Sequence, residues 1–152
     1  YNSTVITGTV VITDTGKDLA LIKPQINTDF TDKIYTGKLA DKDYTPYLFS
    51  PVWAVGCSLG LNPRPSYGHL TNILRSSASI CGYEISAPIL PGNSGGPVYD
   101  ARTYEVIGIA VWVKVYNGQL ITTMAGVVPI QQIYEFLDSQ IGNLPKAKAD
   151  NR

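Results

Sequence analysis

Seven residues, Pro91-Gly92-Asn93-Ser94-Gly95-Gly96-Pro97, constrain this chain more than any other stretch. Two prolines bracket three glycines, so the segment reads as a turn, not as the interior of a helix or strand. The glycines leave the backbone free to take positive φ beside a single hydroxyl. A nucleophilic serine needs such a turn, because its attack creates an oxyanion that backbone N–H groups must meet at close range. Ser94 is therefore a candidate nucleophile. What it lacks locally is a base.

The chain around this turn reads mostly as strands. Thr4–Thr13 is rich in Val, Ile and Thr, and Asp14-Thr15-Gly16-Lys17 follows as a turn. Asp18–Lys23 enters a second apolar strand. From Pro24 to Pro51 the sequence is polar and tyrosine-bearing with little periodicity, which suits a long surface connection between two lobes. Val52–Gly56 reads as a short buried strand, with a Gly- and Pro-rich loop at Gly60–Pro65. Further strands are expected near His69–Leu74, Gly82–Ser86, Pro97–Asp100, Glu105–Val115 and Leu120–Val127, with Asn117-Gly118 as a hairpin turn. Helical spacing occurs only at the end, in Ile130, Ile133, Tyr134, Leu137 and Ile141, with Pro129 suited to the first turn and Gly142 to the C-cap. A disordered tail is expected after it.

Composition narrows the function classes. Lys+Arg and Asp+Glu both number 12, and no basic stripe is present, so nucleic acid is not an expected partner. No apolar run reaches the length of a membrane span. Cys57 and Cys81 lack metal-site spacing, and no metal or cofactor is expected; the two residues read as buried free thiols or, alternatively, as one disulfide. Asn2-Ser3-Thr4 forms a glycosylation sequon that matters only in a secreted protein. The chain starts at Tyr1 and its one methionine is Met124, so a segment upstream of Tyr1 is expected.

Two serine-hydrolase templates fit the Ser94 turn as patterns. The G-x-S-x-G elbow requires a following helix and a later histidine. Here Pro97 and a strand-like segment follow, and no histidine comes after Ser94, so that template fails. The other orders its triad His, Asp, Ser. Asp18-Leu19-Ala20-Leu21-Ile22, Trp53–Gly60, Pro91–Pro97, Val106-Ile107-Gly108-Ile109 and Val127–Ile130 leading into Tyr134–Leu137 occur in the order and register of that template. On these motifs the chain resembles the trypsin-like serine proteases, closest to the HtrA/Deg branch. The resemblance runs from about Asp18 to Leu137 and is weakest between Lys23 and Pro51.

The resemblance implies an all-β, chymotrypsin-like double β-barrel: an incomplete first barrel, a complete second barrel and a C-terminal helix. The division expected is 1–23 for the last strands of the first barrel, 24–51 for the connection, 52–128 for the second barrel, 129–141 for the helix and 142–152 for a flexible tail. It further implies that Ser94 attacks the scissile carbonyl, that the N–H groups of Gly92 and Ser94 form the oxyanion hole, and that Asp18 orients a histidine. Read without the resemblance, Asp18 is a turn or N-cap aspartate. Asn93 stands where zymogen-type relatives carry an aspartate that pairs with a new N-terminal amine. An asparagine cannot make that pair, so no such switch is expected.

His69 is the single histidine, and it falls between Asp18 and Ser94, the wrong order for this template. A structural or surface role is expected for it. The catalytic histidine should precede Asp18 by a few tens of residues, so the fold should require an upstream segment or partner chain that completes the first barrel. Without one, the first strands would leave open apolar edges. By resemblance, Ala110, Val111, Trp112 and Val113 line an extended polypeptide substrate, and Pro88 borders its pocket. Val111 replaces a Ser or Thr that buttresses the aspartate in relatives. Val113 replaces a glycine, narrowing the pocket mouth. With no buried acid near Pro88 and Ile89, the expected preference is for small or medium aliphatic residues before the scissile bond. The competing expectation is an inactive pseudoprotease serving as a binding or structural module.

Overall fold

A computed structural model describes residues 6–26, 36–77 and 79–141. The sequon at Asn2, the start of the first predicted strand, the middle of the connection and the expected tail lie outside these residues. The described chain forms eight strands and one helix: β1 (Gly8–Asp14), β2 (Leu19–Pro24), β3 (Pro51–Gly56), β4 (Arg64–Ser76), β5 (Ser79–Ile85), β6 (Pro97–Asp100), β7 (Val106–Tyr116), β8 (Gln119–Pro129) and α1 (Ile130–Ile141). Strands β3 to β8 close into a barrel in the order β3-β4-β5-β8-β7-β6, and every pair is antiparallel. β1 and β2 form a separate two-stranded sheet. The architecture is that of a chymotrypsin-like double barrel in which the second barrel is closed.

Alternation explains the barrel. Val52 and Ala54 of β3 point inward and are buried, while Trp53 and Val55 face outward and are partly covered. The strand expected here as short and buried is buried on one face and partly covered on the other. Leu70, Tyr83, Ile85, Val98 and Ile107 fill the interior. α1 covers the barrel with Ile130, Ile133 and Phe136, which are buried, and with Tyr134 and Leu137, which are partly so. The helical spacing marked this stripe correctly but left out Phe136. Pro129 ends β8 instead of opening the helix.

The β1–β2 hairpin is set by its turn. Asp14 Oδ1 accepts the N–H groups of Gly16 and Lys17 at 2.9 and 3.0 Å, and Asp18 is the last residue of the same turn, with positive φ. Leu19 is buried, and Ile12 and Leu21 pack on the same core, yet Val10 and Ile22 stay exposed. Among the described residues no third strand joins this sheet. A lone two-stranded ribbon with apolar residues in water is a marginal structure.

The connection before β3 is tied down far more than its polar sequence suggested. Ala40 and Pro46 are buried. Lys38 and Ala40 exchange backbone hydrogen bonds with Val106 at 2.7 and 2.9 Å, and Gln131 of α1 donates to the Tyr44 carbonyl. A further tie runs from Tyr44 to a buried carboxylate. Asp100 is fully buried at the end of β6; its carboxylate accepts the Tyr44 hydroxyl at 2.5 Å and the Arg102 backbone N–H, Nε and Nη2 at 2.8, 3.1 and 2.7 Å. A buried carboxylate is tolerated only when its oxygens are satisfied in this way. Tyrosines in a connection of low periodicity gave no hint of a partner so far away in sequence.

Both cysteines are free and exposed, which overturns the buried-thiol reading. Cys57 lies just past β3 at the head of a 3₁₀ turn, Ser58–Gly60, and Cys81 points outward from β5. Among the described residues no helix is long and apolar enough to cross a membrane, and no group of three potential metal ligands is assembled.

The Asp100 cluster predicts a pH dependence of stability. Burial alone would raise this carboxyl, but Arg102 and Tyr44 outweigh it and hold it at about 2, below the ordinary 3.8. A depressed carboxylate adds stability above its unfolded pKa and loses it as pH falls toward the folded value. The contribution is about 2 kcal/mol, present in full above about pH 4. Asp100→Asn should lose at least this much in urea titrations at pH 7. The gap between variant and parent should shrink between about pH 4 and pH 2; a gap constant across that range would contradict the assignment.

Candidate active site

The turn carrying Ser94 is pressed into the end of β3. A Cβ at Gly96 would lie 2.1 Å from the Val55 carbonyl oxygen, and one at Gly92 would lie 2.3 Å from the Cys57 oxygen. No side chain fits at either place. Gly92 also holds φ +100°, a region that other residues avoid. Asn93 between these glycines is buried, and its Oδ1 accepts the Ser58 hydroxyl at 2.6 Å. Asn93 N–H donates to Leu90, Gly95 N–H to Ala110 and Gly96 N–H to Asn93 itself, at 3.0, 2.8 and 2.9 Å. Among the described residues the N–H groups of Gly92 and Ser94 donate to no backbone carbonyl outside the regular elements. Gly92 and Ser94 are both exposed.

Ser94 Oγ donates to the Val111 carbonyl at 3.2 Å. That carbonyl is available because Val111 is the extra residue of a bulge: β8 pairs Ala110 with Val127 and Trp112 with Gly126, leaving Val111 between them. Val111 also lines, with Lys17, Asp18, Trp112 and Tyr83, a cavity of about 250 Å³ between the β1–β2 hairpin and the barrel. The same bulge thus borders both Ser94 and Asp18. Asp18 itself is exposed, holds φ +54°, and its carboxylate has no hydrogen bond or ion pair among the described residues. The Tyr83 hydroxyl, pushed up to about 12 by burial, donates to Gln131 Oε1 of α1 at 2.9 Å.

Other predicted residues fall as follows. Ala110 is buried and joined to the Ser94 turn, with its N–H donating to Gly96 at 2.9 Å. Trp112 is not a core residue: it is 41% exposed, with its ring laid where a Cβ of Gly126 would be. Val113 is half-buried beyond it on β7, and Pro88 is exposed ahead of the Ser94 turn. His69 is on the outer face of β4, edge-on to Tyr67 with ring centres 5.5 Å apart. Ser94 and its Val111 partner are elsewhere, and His69 takes no part in their hydrogen bonding. Sequence reasoning missed Ser58, whose bond spans 35 positions to Asn93 and leaves no local signal.

A family model for the trypsin-like peptidase domain matches residues 1–109. Among solved structures, the chain is similar to "HtrA-type protease AlgW with tripeptide", at 22% identity and a TM-score of 0.75, covering 90% of this chain and 44% of that one. It is similar also to "HtrA-type protease AlgW with decapeptide", at 22% identity and a TM-score of 0.74, covering 89% and 40%. The chain therefore spans less than half the length of these structures. No curated protein matches it closely enough to count as a relative.

The Asn93 clamp can be tested by deletion. Ser58→Ala should cost about 1 kcal/mol in chemical denaturation, the worth of one part-buried hydrogen bond. Gly92→Ala should cost more, about 1–3 kcal/mol, because it adds a steric clash to an unfavourable φ. Equal stability of Gly92→Ala and the parent would show that the turn is not held as described.

Proposed function

The chain belongs to the trypsin-like peptidase domain family, and from that premise we propose that it is the nucleophile-bearing part of a serine endopeptidase. The observation that carries this reading is the Ser94 turn: an exposed hydroxyl in a glycine-dense turn, with the N–H groups of Gly92 and Ser94 claimed by no backbone carbonyl outside the regular elements among the described residues. Ser94 Oγ attacks the scissile carbonyl, and its carbon becomes tetrahedral. The Gly92 and Ser94 N–H groups receive the oxyanion, and collapse expels the amine to leave an acyl-enzyme that water hydrolyses. The substrate lies along Val111–Val113, where the Val111 carbonyl, now held by Ser94, is free to accept a substrate N–H once that hydroxyl turns away.

The base comes from outside these residues. A histidine on an upstream segment or partner chain that adds strands beside β1 or β2 would enter the cleft bordered by Asp18 and Val111. Asp18, without a partner among the described residues, would orient it and stabilise its imidazolium. The exposed Val10 and Ile22 would be covered by the same strands. An inactive pseudoprotease is favoured by one observation: Val111 gives Asp18 no hydroxyl to lean on.

The two readings separate in a peptidase assay on the protein carrying its upstream segment, using a peptide library varied at the residue before the scissile bond. Cleavage after small or medium aliphatic residues is expected, with the chain of 152 residues alone essentially inert. Asp18→Asn should lower kcat by about 10³–10⁴-fold. Equal or better cleavage after Arg would contradict the pocket reading, and no cleavage at all would favour the pseudoprotease.

A further inference from the structure

Aromatic residues gather on the outer wall of the barrel where β4, β3 and β6 run side by side. Trp53 of β3 pairs with Tyr67 of β4 on one flank and with Tyr99 of β6 on the other, so three rings stand in one row across three strands. The Trp53 and Tyr67 ring centres are 4.8 Å apart, with the planes tilted by 58°. Val55 and Pro65 form a further pair along the same face. A fourth ring, Tyr104, comes from the turn between β6 and β7. It holds φ +58°, a region bulky residues rarely adopt, and its N–H is fixed to the Asp100 carbonyl at 2.9 Å. That strained position leaves the residue 71% exposed.

Trp53, Val55, Pro65, Tyr99 and Tyr104 line a cavity of about 320 Å³ whose surface is almost wholly apolar. None of the five belongs to the Ser94 turn or lines the cleft beside Asp18. At Trp53 both edges of β3 are already paired, so no peptide strand can add there. A ligand must be held by side chains alone.

The chemistry of the lining selects that ligand. No charged side chain lines the cavity, and in the adjoining turn and connection Arg102 is held by Asp100 and Lys38 by Glu105. An anion would find no free counter-charge. An ordinary ammonium or guanidinium would bury N–H donors against a lining with almost no acceptors. A quaternary ammonium has no N–H to satisfy, and the electron-rich faces of Trp and Tyr rings attract its positive charge. We propose that this cavity binds a trimethylammonium group, carried by a free choline-like amine or by a methylated lysine side chain. The site goes beyond the protease reading and does not depend on it.

A titration followed through the two indole N–H resonances of the native protein tests this, with Trp112 as internal reference. The probes are choline, an otherwise uncharged short peptide bearing one trimethyllysine, neohexyl alcohol, in which carbon replaces the charged nitrogen of choline, and an uncharged proline-rich peptide. A cation should shift the Trp53 resonance, leave that of Trp112 in place, and bind at least about tenfold tighter than neohexyl alcohol. The tighter of the two cations identifies the source of the group. Tyr104→Leu, at an exposed position, should weaken the cation several-fold and leave neohexyl alcohol little changed. Tyr104→Phe should bind as the parent does, because the ring and not its hydroxyl attracts the charge. Equal affinity for the cations and neohexyl alcohol, or no shift of Trp53 with either cation, would overturn the proposal. Tighter binding of the proline-rich peptide than of either cation would overturn it in favour of proline recognition.

Discussion

Asn93 is the residue on which the candidate site depends. It is buried, its amide oxygen is held by Ser58, and the glycines on either side let the turn approach the end of β3 more closely than any side chain allows. Asn93 is fixed by these contacts, while Gly92 and Ser94 on either side of it are exposed. The buried group at the centre of the turn is thus a neutral amide whose oxygen is satisfied by a hydroxyl from the segment just past β3.

The two halves of the molecule differ in how far they satisfy their own edges. The barrel closes through β3 and β6, so each of its six strands has two neighbours, and the Asp100 cluster ties the connection and the β6–β7 turn to its wall. Among the described residues the β1–β2 hairpin has one neighbour per strand, and Val10 and Ile22 are exposed. That imbalance falls at the cleft where Asp18 lies. Ser94 is carried on the closed barrel and Asp18 on the hairpin, which has fewer backbone partners among the described residues.

Much of this was legible in the sequence, because the barrel strands obey the period of two and the helix the period of 3.6. The Ser94 turn was legible for a steric reason: few sequences besides one dense in Gly can bring backbone so close to backbone. Contacts made across long stretches of chain were not legible. The Ser58–Asn93 bond, the Tyr44–Asp100 bond and the backbone bond from Ile89 to Thr122 each join residues with no local pattern in common. The cysteines misled for a related reason. A free Cys is usually buried, but here each falls on a position that the strand and turn geometry points outward. The place of the Trp112 ring, laid over Gly126 of the paired strand, likewise follows from strand pairing and not from any local pattern.

The central claim is that Ser94 is a nucleophile prepared by its turn and activated by a histidine brought to Asp18. The most direct measurement is fluorophosphonate labelling of the intact native protein, mapped to the modified residue and followed as a function of pH. The account predicts a single adduct on Ser94, absent from Ser94→Ala, with a labelling rate that rises through the titration range of a histidine near neutrality. Absence of any adduct on Ser94 in the intact protein, at any pH at which it is folded, would contradict it.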